Sequence, residues 1–527
     1  MAKYNGLAGT HGRIPAHYPQ DAPIPPTGSV TLYRNLNDQQ LYTVTPAGIH
    51  TVIGAGGYVL PAATALLLGG VKVGAGLSVL PDGTISVTSP GISDVPVNAL
   101  FVDSFKGNDA TATPGSLVNK YSTITGAQGA LQAAGGGSTI IVYPGSYSIS
   151  GNMWKDQVSI YCYPGALINK GTGGAMIDGS PGGNFKIFGE GTFNNTSVEG
   201  TSSIYKTGSG CTFHMEAYEM AATSGNVLDI TTDSITDIEC VNMLSTNNSP
   251  IKISGTGGTI ISNRVKIKAV TIESRGVSSP AISQNGAFDG SLVIEATEIL
   301  GSSNGLAGTG VEIVIISNSG TGEIIIKADL TSRHTAGGAS TKAMVFVANS
   351  TVPAARNKFQ IIGNLTSLYD IGLLVTSQRD RTDATEIFIN GDITCTNNRV
   401  FDSFTAPVGP TTGVGSLIHL NGNHSSGLLV AGVMRVAEKM VLYLTGRLEG
   451  VDLGIDKLAA SAGVLCKLNF QSYVIVMSGG APTSINGSSG GDTYNVNTVL
   501  SSNVPTGGTP IVNGVAGSLD IVSASIE

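Results

Sequence analysis

From residue 185 to 448 one short pattern recurs: apolar, any, apolar, any, then a small residue. The copies are Phe185/Ile187/Gly189, Phe213/Met215/Ala217, Val265/Ile267/Ala269, Leu292/Ile294/Ala296, Ile324/Ile326/Ala328, Phe359/Ile361/Gly363, Ile387/Ile389/Gly391, Ile418/Leu420/Gly422 and Leu442/Leu444/Gly446, with Thr236/Ile238/Cys240 as a degenerate one. The small residues stand at 189, 217, 240, 269, 296, 328, 363, 391, 422 and 446, so neighbouring copies lie 23 to 35 residues apart. A further apolar residue usually follows two or three positions later. Alternation turns the apolar pair to one side of a strand, and the small residue marks a tight bend. A variable period of this size fits the coils of a parallel β-solenoid, in which loops of different length leave each rung. No copy carries an apolar stripe at 3.6 spacing, which excludes helical repeats.

Composition agrees. Only 12% of the residues are charged, and 72 of the 527 are glycine. Each interior glycine costs a helix about 1 kcal/mol, so a turn-rich, all-β chain is expected. The formal net charge of −8 argues against a broad phosphate-binding surface, and no nucleic-acid partner is expected. Cys162, Cys211, Cys240, Cys395 and Cys466 form no CxxC pair and no zinc spacing, and read as reduced, mostly buried thiols suited to assembly in a reducing cytoplasm. The opening residues show no apolar leader segment. The nearly uncharged stretch from Val52 to Leu80 is too rich in glycine for a spanning helix, so no membrane partner is expected.

Four regions follow. Residues 1–57 form an N-terminal arm with Pro15, Pro19, Pro23, Pro25 and Pro26, then a hairpin of Ser29–Tyr33 and Gln40–Val44. Residues 58–95 form a glycine-rich neck, with two short strands flanking Pro81-Asp82-Gly83. This neck has no core of its own and is expected to intertwine with copies of itself. Residues 96–470 hold the solenoid. Ile124, Ala127 and Leu131, at helical spacing, predict a short helix that covers its open end. Residues 471–527 read as a β-rich cap or oligomerisation module.

In a stacked solenoid, equivalent outward positions form columns. The residue before each small one gives Glu216, Glu239, Lys268, Glu295, Lys327, then Ile362, Asn390, Asn421 and Thr445. Alternating charge over adjacent rungs reads first as a solvated stabilising ladder and second as a ligand groove. Two residues earlier the column is His214, Asp237, Lys266, Val293, Ile325, Gln360, Phe388, His419 and Tyr443. Its apolar members suggest a subunit interface, with cover by a loop and a sugar-binding platform as alternatives.

Carboxylates for glycan cleavage need a pair roughly 5 to 9.5 Å apart. Candidates are Glu273, Glu298 and Asp329, or the charged cluster Arg379, Asp380, Arg381 and Asp383 with Glu386. Neither carries a motif. His11, His17, His50, His214, His334, His419 and His424 show no metal-ligand spacing. The expectation is therefore no catalytic residue, no metal and no cofactor.

Phe101-Val-Asp-Ser-Phe-Lys-Gly-Asn-Asp109, Tyr121-Ser-Thr-Ile-Thr125 and Thr139-Ile-Ile-Val-Tyr-Pro-Gly-Ser-Tyr147 together resemble the opening of right-handed parallel β-helix proteins of the pectate-lyase-like type. The segments from Leu68 to Val79 and from Asp82 to Val87 resemble glycine-rich stretches of tailed-bacteriophage head and tail fibres. The resemblance implies a right-handed parallel β-helix and a homotrimer on the virion surface, assembled in the host bacterial cytoplasm. The N-terminal arm would dock on the capsid or other virion proteins. It implies a structural head fibre with adhesion to host-surface glycans; the alternative is a tailspike depolymerase or tail fibre that cleaves a surface polysaccharide. The lyase families' catalytic Asp, Arg and Lys signatures find no match here, so activity is not implied.

Overall fold

The computed structural model describes most of residues 16–52, short strands between 67 and 87, and most of 99–523; the longer stretches left out are 255–262, 302–311, 335–341, 348–357, 376–384, 404–415, 458–465 and 498–518. Two compact units result, Met1–Val95 and Pro96–Glu527.

In the first unit the expected hairpin is present. Thr31–Asn35 pairs antiparallel with Leu41–Val44, which pairs in turn with His50–Val52. The sequence had not indicated the third strand, nor Ala16–His17, which adds in parallel beside Thr31–Asn35. The buried apolar cluster consists of Ala22, Tyr33 and Val44. Tyr33 OH lies 2.7 Å from His50 Nδ1. Leu77–Val79 and Ile85–Val87 pair antiparallel around the Pro-Asp-Gly turn.

The second unit is a parallel β-solenoid, with about 8 turns between residues 158 and 449. Each coil has three faces. In one coil the first face is the N-terminal part of Cys211–Ala222, the second is its C-terminal part, and the third is Leu228–Ile230. The alternating pattern has the register expected of it. One inward column of the first face reads Ile160, Ile187, Met215, Ile238, Ile267, Ile294, Ile326, Ile361, Ile389, Leu420 and Leu444, each paired in register with the next. All are buried, and each full burial contributes about 1.5–3 kcal/mol. Thr236 fills its inward slot and bonds Ser234 Oγ at 3.3 Å.

The helix Ile124–Ala134 forms as expected, with Ile124 and Ala127 buried in the same core as Leu100 and Ile140. Parallel pairing begins earlier than the recognisable repeat, at Leu100–Val102. It also continues through Cys466–Met477, Thr493–Asn497 and Leu519–Ser523, so the fading of the pattern near 471 is not the end of the ladder.

From the coil of Ala217 to that of Gly446 the corner between first and second faces is short, with two lengths; before it the corner is longer, Phe193 standing four positions after Gly189. From Ala217 to Ala296 the next inward residue stands three positions on, at Met220, Met243, Ile272 and Ile299. From Ala328 onward it stands two positions on, at Leu330, Leu365, Ile393, His424 and Leu448, and the register shifts once between Glu295 and Glu298 to absorb the difference. Four of these five shorter corners carry glycine, at 363, 391, 422 and 446, and the first carries Ala328. At Gly391, with φ 156°, a Cβ would stand 2.1 Å from the Gly363 carbonyl oxygen of the coil before. The other two turns vary freely: Ile177–Asp178 leads to Gly183, whereas Phe401–Asp402 leads to Ser416.

Candidate functional site: a groove along the first corner

The outward positions of the first face stack as the alternation requires. Glu216 pairs with Glu239, Glu239 with Lys268, Lys268 with Glu295, and Glu295 with Lys327. The charges settle into pairs. Lys268 Nζ donates to Glu239 Oε1 at 2.6 Å, and Lys327 Nζ to Glu295 Oε1 at 2.7 Å. The bonded Lys327 holds the Glu295 carboxyl below its usual range. Both pairs are well exposed, so they contribute little beyond fixing register.

Glu216 has a different environment. Its Oε1 lies 3.4 Å from His214 Nε2, and its Oε2 accepts from the Gly189 N–H at 3.5 Å. His214 Nδ1 lies 3.4 Å from Asp237 Oδ2 on the next coil, and the ring packs against Phe188. Beside this cluster runs a groove of about 650 Å³, lined by Tyr161, Glu190, Glu216, Glu239, Lys268 and Val270, among others. Its rim is apolar: Tyr161 is 41% exposed and Val270 48%. Tyr218 and Val241 continue the exposed edge, and Tyr163 stands edge-on to Tyr161, centroids 5.2 Å apart. Carboxylates that accept hydroxyl pairs, next to exposed aromatic surface, are the chemistry by which a groove holds a sugar chain.

The sequence-derived carboxylates fare differently. Glu273 lies near Arg275, whose Nε donates to Oε1 at 2.9 Å and Nη2 to Oε2 at 3.0 Å; Arg333 bonds it as well. Burial pushes Glu273 up, but the two guanidinium groups outweigh it and hold the carboxyl below its usual range, the reverse of what a general acid needs. Glu298 and Asp329 are neighbours in register, but Asp329 Oδ1 is occupied by the Asn364 N–H at 2.7 Å. Asp380 and Asp383, with Arg379 and Arg381, lie outside the described residues. Glu386 stands on a strand, paired in register with Lys358.

The histidines are likewise dispersed. His334 Nδ1 lies 3.0 Å from the buried Asp370. Ser332 donates to that same aspartate rather than to the imidazole, so no hydroxyl is activated in the manner of a hydrolase triad. His419 is stacked between Phe388 and Tyr443, at 4.5 and 4.6 Å between centroids. These rings cover one another's faces, which disfavours the sugar-platform alternative for this column. Among the described residues no group of three or more His, Cys, Asp or Glu could hold a metal ion, and no helix is long and apolar enough to cross a membrane. Cys162, Cys211, Cys240 and Cys395 are buried free thiols, and burial pushes Cys162 and Cys240 up to about 12.

The in-register pair Glu216 and Glu239 was legible in the sequence as part of a charged column, expected as a stabilising ladder or a ligand groove, but it was not among the carboxylates expected for catalysis. Glu190 and Tyr161 carried no signal, because their coils precede the recognisable repeats or have irregular corners. No family model matches the chain, and neither does any curated protein or solved structure.

Proposed function

We propose that this chain is a surface fibre of a tailed-bacteriophage particle, a homotrimeric structural protein attached to the capsid through residues 1–57 and adhesive toward glycans. The observation that carries the reading is the groove along the solenoid's first corner, whose exposed tyrosine and solvent-facing carboxylates suit a polyhydroxylated ligand. The N-terminal unit supports the docking role. Among the described residues its buried apolar cluster is small, and Ile24 and Ile49 are exposed on it. The outward column of Val293, Ile325, Phe388, His419 and Tyr443 supports side-by-side packing of copies.

Two measurements test this. Sedimentation of the purified chain should give three copies; a single chain at micromolar concentration overturns the trimer. Particles assembled with the full chain should carry the fibre on the capsid in electron micrographs, and those given a chain lacking residues 1–57 should be bare. Retention of the truncated chain overturns the docking role.

A second reading, a polysaccharide depolymerase, is favoured by Glu216 and Glu239 alone. Adjacent rungs stand about 4.8 Å apart, close to the carboxylate spacing of retaining glycosidases. Glu239, bonded to Lys268, would take the nucleophile's place and Glu216 the acid's. New reducing ends from host polysaccharide, lost in both Glu216→Gln and Glu239→Gln, would establish cleavage; their absence leaves the adhesive reading.

A further inference from the structure

One inward position of the second face breaks the rule that builds the rest. Its column reads Phe193, Met220, Met243, Ile272, Ile299, Leu330, Leu365, Ile393, His424 and Leu448. His424 is 0% exposed and lies in register between Ile393 and Leu448. Neither ring nitrogen has a hydrogen-bond partner. One polar influence on the ring, the Leu420 carbonyl, stands outside hydrogen-bond geometry, and the charged form would enter a hydrocarbon column without a counter-ion.

The charged groups on neighbouring elements do not supply one. Asp392, at the preceding corner, accepts the Asn423 N–H at 2.8 Å, which turns its carboxylate toward the backbone. Arg447 and Glu449, on either side of Leu448, are exposed and paired with each other. On the third face Asp402 is engaged by Arg435 and Arg399. Burial takes His424 down to about 4, against smaller upward pulls from Asp392 and the Leu420 carbonyl.

We propose that His424 is an acid-triggered release point, where protonation of one buried imidazole opens the stack between the coils of Ile393 and Leu448. The sign follows from linkage. The unfolded or locally opened chain takes up a proton near pH 6.5, and the closed stack only near 4. The closed form is therefore fully favoured above pH 6.5 and loses ground as the pH falls toward 4, with no further loss below. The device is independent of the groove and of any glycan.

Hydrogen exchange of the full chain, corrected for intrinsic rates and compared with His424→Leu, tests it. Leucine occupies the same slot at 330, 365 and 448, so the variant is expected to fold. Between pH 6.5 and 4, local opening of Ser416–Ser426 and Met440–Gly450 should rise by up to roughly 80-fold more in the natural chain than in the variant. Equal responses in the two proteins overturn the proposal. Exchange at the imidazole C2 position, followed by mass spectrometry on the natural chain, gives a second check. A midpoint well below 6 supports the proposal, and one near 6.5 overturns it.

Discussion

Asn364 donates its backbone N–H to the carboxylate of Asp329, one coil earlier, at 2.7 Å. The contact is repeated upward: Asp392 N–H to Asn364 Oδ1 at 3.0 Å, then Asn423 N–H to Asp392 Oδ1 at 2.8 Å. Each of these side chains follows the small residue of its corner. Where the corner is too short to keep its amide in the strand ladder, the side chain below takes that amide instead. Asp329, an acid-base candidate from sequence, is the first step of this ladder.

The ladder requires an acceptor, and an amide oxygen serves as well as a carboxylate. Asp392→Asn should therefore leave stability nearly unchanged, while Asp392→Ala should lower it by about 0.5–1.5 kcal/mol. Urea titrations of the two variants check this. Equal losses would mean that charge, not acceptance, matters at the corner.

Gly391→Ala should destabilise the coil, because the added methyl would meet the Gly363 carbonyl oxygen at 2.1 Å. Backbone strain of this kind costs on the order of 1–3 kcal/mol. Gly129, exposed in the helix Ile124–Ala134 with nothing within 4 Å of an added Cβ, should respond oppositely. Gly129→Ala should stabilise by about 0.5–1 kcal/mol. Thermal melts of the two variants should move in opposite directions.

Ile326→Asp should abolish folding of the middle coils. Ile326 is fully buried between Ile294 and Ile361, and an unpaired carboxylate there costs several kcal/mol. Expression should yield insoluble protein; a soluble variant with an unchanged melt would contradict the register.

Glu273 should make stability depend on acid. Burial raises its pKa, but Arg275 and Arg333 outweigh burial and hold the folded-state pKa below the ordinary glutamate value of 4.5. Its stabilisation is present above pH 4.5 and lost as the pH falls through the lower folded-state value. Glu273→Gln should cost about 1–2 kcal/mol at pH 7, discounted for partial exposure. Natural and variant proteins should converge at low pH in denaturant midpoints.

The first face was legible in the sequence because its strands are long enough to alternate several times, and each is punctuated by a small residue. The third face was not. Strands such as Tyr205–Lys206 and Phe401–Asp402 show a single inward residue each, and alternation cannot be read from one. The charge column was legible, but its pairing was not: backbone spacing offers Lys268 both Glu239 and Glu295, and only side-chain geometry selects Glu239. Asp329 stood among the carboxylate candidates because a single rung does not show which backbone amide of the next coil its side chain accepts. His424 carried a usable signal, a histidine where every other corner is followed by an apolar side chain.

The fixed first corner and the freely variable other two divide the chain's tolerance of insertion. Extra residues placed after Asp178 or Asp402 would emerge as loops without moving any inward column, whereas one residue added beside Gly391 would disturb its packing on the Gly363 carbonyl and require a register shift like that between Glu295 and Glu298. New surface can thus be acquired at two edges of the solenoid one loop at a time, while a change of length at the third edge has to be absorbed by a shift of strand register, as between Glu295 and Glu298.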